Sequence, residues 1–246
     1  MKQPKVYFFH DDDTVYVSEE PAFHNLSANT TVKNIIQHYS EIRAEAEALI
    51  SGEYQIQAAN PNAPDSNSEN AWTHLYFLNY MLPYSTTKKH FPKIAAILLS
   101  DPNITLCGIA RLKAGGRLLP HCGETNAIIR CHLGLKVPGN LPEIGIRVKD
   151  EKRAWHEGEV LAFNDAYNHE AWNNTNEDRY LLIFDIIKPA LFNKRKFICA
   201  CCLGIAATRV FLGKLGLYRF SPIWFRKIVA FPLAIIGYFI ISFSRR

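Results

Sequence analysis

The chain has 246 residues, of which 48% are hydrophobic, 12% aromatic and 21% charged. That is enough apolar material for a sizeable core and excludes a disordered or low-complexity protein, while six Cys are too few for a disulfide scaffold of this size. The net charge of +5 is unevenly spread: residues 1–187 carry 17 Lys+Arg against 23 Asp+Glu, a net −6, whereas residues 188–246 carry 11 Lys+Arg and no acid, a net +11.

Met1-Lys2-Gln3-Pro4-Lys5 leads into only a short apolar stretch before Asp11-Asp12-Asp13, which is not the pattern of a signal peptide. The body is therefore expected in a reducing, cytoplasmic compartment. His10-Asp11-Asp12-Asp13 reads as a charged loop rather than a metal site. Ile35, Ile36, Tyr39, Ile42, Ala46, Leu49 and Ile50 recur at helical spacing and predict one helix over 32–50, capped by Thr30 or Thr31. Residues 57–70, rich in Asn, Pro, Ser and Ala, read as a loop. A second helix is predicted over 91–99, with Pro92 in its first turn.

From residue 104 the texture changes to short strands, predicted at 104–112, 126–137, 144–148, 159–163 and 179–187. Gly115-Gly116, Pro138-Gly139-Asn140, Glu157-Gly158 and Asn173-Asn174 separate them. Such a series suggests a sandwich or small barrel, with a jelly roll as the expected form. Trp72, Trp155 and Trp172 read as core or rim aromatics.

His121 stands just before a long predicted strand and His169 just after one. Imidazole suits Fe(II), and a jelly roll brings distant strand ends to one mouth. Arg130 and His132 are two apart and share a strand face, with Ile129, Cys131, Leu133 and Leu135 on the other. Arg179 opens another strand. Two Arg and two His around one cavity would suit a metal and a small dicarboxylate, since guanidinium pairs bidentately with carboxylate. The same residues on a solvated face would form ordinary surface ion pairs, and pattern alone leaves both readings open.

Beyond residue 188 the chain is basic and apolar. Ile228 to Phe243 runs for 16 residues without a charge, between Arg226-Lys227 and Arg245-Arg246. At about 1.5 Å per residue it falls somewhat short of a ~30 Å hydrocarbon core. An earlier apolar run, 197–208, is shorter, and Arg209, Lys214 and Arg219 are spaced between the two. This suits helices lying in or dipping into a membrane interface, with a buried hairpin of core helices as the alternative. Cys199, Cys201 and Cys202 read as unmodified thiols. The tail has no zinc-finger or RNA-binding signature, so no nucleic-acid partner is expected.

Several stretches form one ordered set: His121-Cys122-Gly123-Glu124-Thr125-Asn126, then Arg130-Cys131-His132-Leu133-Gly134-Leu135, then Trp155, Gly158-Glu159 and Phe163-Asn164-Asp165. His169-Glu170-Ala171-Trp172-Asn173, Arg179 and Asp185 complete it. The set resembles the aspartyl/asparaginyl β-hydroxylase family, which includes bacterial lipid A hydroxylases. The likeness is densest over about 104–189 and weak around Trp72 and the helix after Asn29.

The resemblance implies a mainly β protein with flanking helices around a double-stranded β-helix (jelly-roll, cupin-like) core. It also implies an oxidoreductase using Fe(II), 2-oxoglutarate and O2: a dioxygenase that hydroxylates an unactivated C–H and releases succinate and CO2. His121 and His169 are implied as iron ligands, and Arg179 as partner of the distal carboxylate of 2-oxoglutarate. Arg130 and His132 are implied as contacts to its other end. Most 2-oxoglutarate enzymes add a carboxylate ligand two residues after the first His; here Gly123 stands there, as the family pattern implies. Asp165 is implied as the acid that orders a water in its place, with Glu124 as a rival.

Two positions depart from the family's protein hydroxylases: Ala110 where a Ser is offered to the cosubstrate, and Ile128 where an Arg anchors the substrate carboxylate. The expected organisation is a dioxygenase domain over 1–189, helical to residue 100 and jelly roll over 101–189, followed by a basic apolar membrane-associated tail over 190–246. The expected substrate is an Asp or Asn side chain of a protein or a membrane lipid acyl chain. A non-catalytic 2-oxoglutarate- or metal-binding sensor or scaffold at the membrane is the alternative.

Overall fold

The computed structural model describes residues 4–10, 16–54 and 71–244. Asp11-Asp12-Asp13 and the predicted loop over 57–70 lie outside the described residues. The described chain begins with a short strand β1 (Phe23–His24) and three short helices, α1 (Thr30–Gln37), α2 (Tyr39–Glu45) and α3 (Glu47–Ile50). The spacing predicts one helix here, and two breaks divide it. At His38 the ring Nδ1 and the backbone N–H both turn to the Asn34 carbonyl, and the backbone leaves the helical region. Ala46 makes the second break. The cap is Asn29 rather than either Thr: its side chain accepts from the Val32 N–H at 3.2 Å.

Next come β2 (Trp72–Asn79), β3 (Leu82–Pro83), α4 (Ser85–His90) and α5 (Pro92–Leu99). Pro92 occupies the first turn of α5, as its position predicts. The carboxylate of Glu45, from α2, caps that turn by accepting from the N–H groups of Lys93 and Ile94. Then β4 (Ile104–Leu112), β5 (Arg117–His121), β6 (Ile128–Lys136), β7 (Ile144–Val148), β8 (Glu151–Arg153), β9 (Val160–Phe163), β10 (His169–Asn173) and β11 (Arg179–Ile187) complete the β region.

The strands form two antiparallel sheets, in the orders β1-β9-β6-β11-β4-β2-β3 and β5-β10-β7-β8. The inner face of the large sheet supplies Leu106, Ala110, Ile128, Phe163, Leu181 and Ile183 to a core shared with Ile144, Ile146 and Val148 of the small sheet. The outer face supplies Cys107, Ile109, Cys131, Leu133, Leu182 and Phe184 to a second core, closed by Val32, Ile35, Ile42, Ile94 and Leu98 of the helices. Alternate residues therefore go to different cores, as a pleated strand requires. Covered on both faces, β11 is buried along its whole length. This is the jelly roll the strand series suggests.

A 3₁₀ turn over Pro189–Lys194 leads into α6 (Arg195–Lys214), and a second over Tyr218–Phe220 into α7 (Ile223–Phe243). Both helices are long and apolar enough to cross a membrane, by length and composition. They pack as a hairpin. Ile198, Cys199, Ala200 and Cys202 of α6 and Ile241 of α7 join the same buried cluster as the barrel interior. At the crossing, a Cβ on Gly204 would lie 2.6 Å from the Ala230 carbonyl oxygen, so the helices approach backbone to backbone. Phe231, Ile235, Phe239 and Phe243 of α7 are exposed. Gly204→Ala is expected to destabilise the hairpin by about 1–3 kcal/mol and to make α7 easier to cleave in limited proteolysis. Unchanged cleavage would mean that the close approach does not hold the hairpin together.

Candidate active site

Strands β5 and β10 are neighbours, and their register sets His121 directly opposite His169. The ring centroids are 4.2 Å apart, with the planes at 55°. Each Nδ1 lies against the carbonyl of the residue two before it, His121 on Leu119 at 2.7 Å and His169 on Tyr167 at 2.8 Å. A carbonyl only accepts, so each Nδ1 carries the proton and each Nε2 keeps its lone pair. Burial, and then the neighbouring His121, hold His169 well below its ordinary pKa, so this imidazole is neutral at neutral pH. The sequence reading places both His outside strands; the structure makes them the last residue of β5 and the first of β10. Pro120 obscures β5, and it is tolerated because β5 is the edge of the small sheet.

The acid beside this pair is Asp165. Its Oδ1 lies 3.5 Å from His169 Nε2. Its backbone carbonyl accepts from the Gly123 N–H at 2.8 Å. A Cβ on residue 123 would sit 1.7 Å from Asp165 Oδ2. Gly123 is thus glycine because the Asp165 carboxylate fills the space a side chain would need. Arg130 fixes that carboxylate. Its Nη1 donates to Asp165 Oδ1 at 2.8 Å, while Nε and Nη2 donate to both oxygens of Asp185 at 2.8 and 2.9 Å. Asp165 Oδ2 is buried and has no partner among the described residues. Burial pushes this carboxyl up to about 7, against the pull of Arg130. Among the described residues no group of three or more His, Cys, Asp or Glu has the arrangement of a metal site; the donors are the His pair with Asp165 beside it.

Deeper in the roll the polar atoms are donors in want of an acceptor. Arg179 is 1% exposed, and its Nε and Nη1 have no partner among the described residues. Its guanidinium lies over the Trp155 ring, 4.5 Å from the centroid. Burial lowers its pKa to about 9, so it remains charged at neutral pH. Trp155 in turn donates to His132 Nδ1 at 3.2 Å, leaving His132 Nε2 buried and unpartnered among the described residues. Burial, then Arg179, hold His132 well below its ordinary value.

The six residues singled out from the sequence thus fall into two linked groups. His121, His169, Asp165 and Arg130 stand at the mouth; His132 and Arg179 stand deeper. Glu124, the rival acid, is engaged elsewhere: it accepts from the Tyr80 hydroxyl at 2.6 Å and pairs with Arg209 of α6 at 3.3 Å. Sequence reasoning misses two members. Trp155, read as an ordinary core aromatic, bridges Arg179 and His132. His74, on β2, is buried with neither ring nitrogen partnered among the described residues. Nothing near it in the sequence marks it, because its strand is itself unannounced.

Two antiparallel sheets closed into a roll, with facing imidazoles at the mouth and an uncompensated guanidinium within, define a cupin-like jelly-roll protein. Its family follows from comparison: the chain belongs to the aspartyl/asparaginyl β-hydroxylase family, whose profile matches residues 36–189. It is similar to an ornithine lipid ester-linked acyl 2-hydroxylase of Rhizobium tropici, 30% identical over 80% of this chain and 70% of that protein. It is also similar to the aspartyl/asparaginyl β-hydroxylase of Homo sapiens, 35% identical over 42% of this chain, but it spans only 14% of that protein's length. Among solved structures the likeness is distant. A viral collagen prolyl hydroxylase of Paramecium bursaria Chlorella virus-1, in complex with 2OG, aligns at 15% identity over 58% of this chain and 90% of its own, with a TM-score of 0.35.

Two outcomes are expected from this geometry. Gly123→Ala should displace the Asp165 carboxylate and lower stability by about 1–3 kcal/mol, the usual range for overpacking, whereas Gly237→Ala, whose new Cβ would meet its nearest neighbours at an ordinary 3.6 Å, should cost little. Equal losses in denaturant melts would show that the 123–165 contact is relaxed. The second concerns His74, which burial and then Arg130 lower to about 3. Between about pH 6.5 and pH 3 the unfolded imidazole binds a proton that the folded one does not, so its contribution to stability falls as pH falls. His74→Gln should therefore flatten the acid side of the stability–pH curve in that window; an unchanged slope would place the titration elsewhere.

Proposed function

We propose that this protein is an Fe(II)- and 2-oxoglutarate-dependent hydroxylase acting on the acyl chain of a membrane lipid. The observation that carries the reading is Arg179: a charged guanidinium buried in the roll whose Nε and Nη1 have no partner, and which has no salt bridge to a carboxylate, among the described residues. A buried, uncompensated charge is costly, and a dicarboxylate ligand relieves it. His121 and His169 would hold the iron through Nε2. Their Nδ1–H groups, tied to backbone carbonyls, fix both rings in the required tautomer. When bound, the iron and 2-oxoglutarate would supply O2 activation, the keto acid ending as succinate and CO2 and one oxygen atom entering a C–H bond.

The chain's own residues position and shield. Arg179 would grip the distal carboxylate and His132 would face the other end. The Arg130–Asp185 clamp would aim Asp165 at a water beside the His pair, in the place where a third ligand stands in other such enzymes. The surrounding apolar cluster would exclude bulk water.

Three observations favour a lipid over a peptidyl Asp or Asn. The chain spans most of the Rhizobium relative, whose name specifies a lipid acyl chain, and little of the human one. Ile128, where a substrate-carboxylate Arg would stand, is buried in an apolar cluster with Tyr80, Met81 and residues of α6. The exposed apolar face of α7 suits a bilayer, with exposed basic Arg219 and Lys227 near the hairpin turn for anionic headgroups.

The test is succinate formation by the anaerobically iron-loaded protein given O2, 2-oxoglutarate and vesicles containing ornithine lipid. His121→Ala and His169→Ala should each reduce it by more than the ~10–100-fold typical of outer-shell substitutions; undiminished turnover in either would refute the ligand assignment. Binding of 2-oxoglutarate without succinate from any lipid or peptide would support the sensor reading instead. For the membrane, Phe231→Glu with Phe239→Glu should release the protein from anionic phospholipid vesicles in sedimentation, and retention would count against α7 as the contact.

A further inference from the structure

His74 is a buried polar side chain that the proposed chemistry leaves unused, with neither ring nitrogen partnered among the described residues. It lies on β2, whose register pairs it with Ala110 of β4; Ala110 pairs in turn with Leu181 of β11, two residues from Arg179 on the same face. Neighbouring strands are about 4.8 Å apart, so His74 and β11 stand roughly 10 Å apart across β4. The floor between them is nearly bare. Ala110 offers only a methyl, and Gly108 offers nothing. A Cβ on Gly108 would lie 2.5 Å from His74 Nε2, so the imidazole leans over Gly108, into space that only glycine leaves open. Tyr76 backs the ring at 3.9 Å between centroids, and Trp72 flanks it at 5.5 Å.

From the other side, Trp155 draws the Arg179 guanidinium inward and holds His132. Gly108 and His132 are both cross-strand partners of Ile183, so the row over which His74 leans is the row of His132. Both Arg179 and His74 contribute to the field that keeps His132 neutral. Arg179 and His74 thus both lie near enough to His132 to act on it, from opposite sides of the row of Gly108 and Ile183. Among them Arg179 Nε and Nη1, His132 Nε2 and both nitrogens of His74 lack partners among the described residues. Buried polar groups in native proteins are almost always paired, and an anionic oxygen is the partner common to a guanidinium and a neutral imidazole N–H.

Resting on the 2-oxoglutarate reading, we infer that His74 is a further ligand of that cosubstrate, donating a ring N–H to the carboxylate held by Arg179, across the gap that Ala110 leaves without a polar atom. Gly108 makes room for the imidazole, and Ala110, with only a methyl, would leave room for the ligand between His74 and Arg179.

The test is calorimetric titration of 2-oxoglutarate into the full-length protein loaded with Fe(II) without oxygen. His74→Ala should weaken binding about tenfold, the loss of one hydrogen bond to a charged group. His74→Gln, which keeps a donor, should lose much less. The double variant His74→Ala with Ala110→Ser, which brings a hydroxyl to the neighbouring position on the same face, should recover part of the loss. Equal affinity in wild type and His74→Ala would overturn the inference. So would a loss that neither the Gln nor the Ser variant recovers, since that marks a packing effect. If the wild type itself binds no 2-oxoglutarate, the cosubstrate reading fails first and this inference falls with it; if wild type binds and His74→Ala is unaffected, only His74 is misassigned.

Discussion

The register of β5 against β10 is the constraint from which the site follows. A one-residue slip would turn one of the two imidazoles to the opposite face of the small sheet. With His121 and His169 opposite each other, the chain just after His121 must pass the chain just before His169. The Gly123 N–H to Asp165 carbonyl bond is that crossing. It brings the Asp165 carboxylate to the side of the pair and leaves no room for a side chain at 123. A facing His pair with a buried acid beside it and no side chain at 123 is therefore a steric outcome of the crossing.

Electrostatics divides the interior into a mouth and a depth. At the mouth, one guanidinium is shared between two carboxylates, so Arg130 enters with its charge already answered by Asp165 and Asp185. Farther in, Arg179 lies over the face of Trp155 with Nε and Nη1 unpartnered among the described residues, and burial keeps His132 neutral. The two arginines look alike in sequence and differ in what they can do. Arg130 is an organiser, with three of its five donors committed. Arg179 keeps Nε and Nη1 without a partner among the described residues, and under the proposed reading it would receive an anionic ligand.

How legible this was depended on whether a local pattern matched the local structure. Strands β4, β7 and β11 were readable to the residue because each is a run of apolar and β-branched residues between turn formers. The shared face of Arg130 and His132 was readable because a strand alternates strictly. β2 was not, because the turn that ends it uses Tyr80 and Met81 at φ of 44° and 70°, where a hairpin normally signals itself with Asn-Gly. That left-handed turn is held by tertiary contacts: the Tyr80 hydroxyl on Glu124, the Met81 N–H on the Thr105 carbonyl, and burial of both side chains in the barrel cluster. With β2 hidden, His74 was hidden too. The roles proposed for His121, His169 and Arg179 came from family resemblance, since spacing alone could not distinguish an inward face from a solvated one.

The C-terminal helices bear on how a bulky apolar substrate would reach this interior. A tail that only anchored the domain could hang from it by a flexible link. Here α6 is built into the roll: its first turns join the barrel core, and farther along Arg209 pairs with Glu124, three residues beyond His121. Burial alone would raise the Glu124 carboxyl, but Arg209, the Tyr80 hydroxyl and Arg130 outweigh it and hold it below its ordinary value. The pair is thus ionised and part-buried, and breaking it would strand a charge against the β2–β3 turn. The N-terminal segment braces the same place: Phe9 donates to the Glu124 carbonyl, and Asn126 accepts from the Tyr7 N–H. Under the proposed reading, a bilayer that receives the free face of α7 would be held at a fixed distance from the His pair. An acyl carbon would then enter at a defined depth, so the choice of which carbon is hydroxylated would lie in the docking of α6 as much as in the pocket.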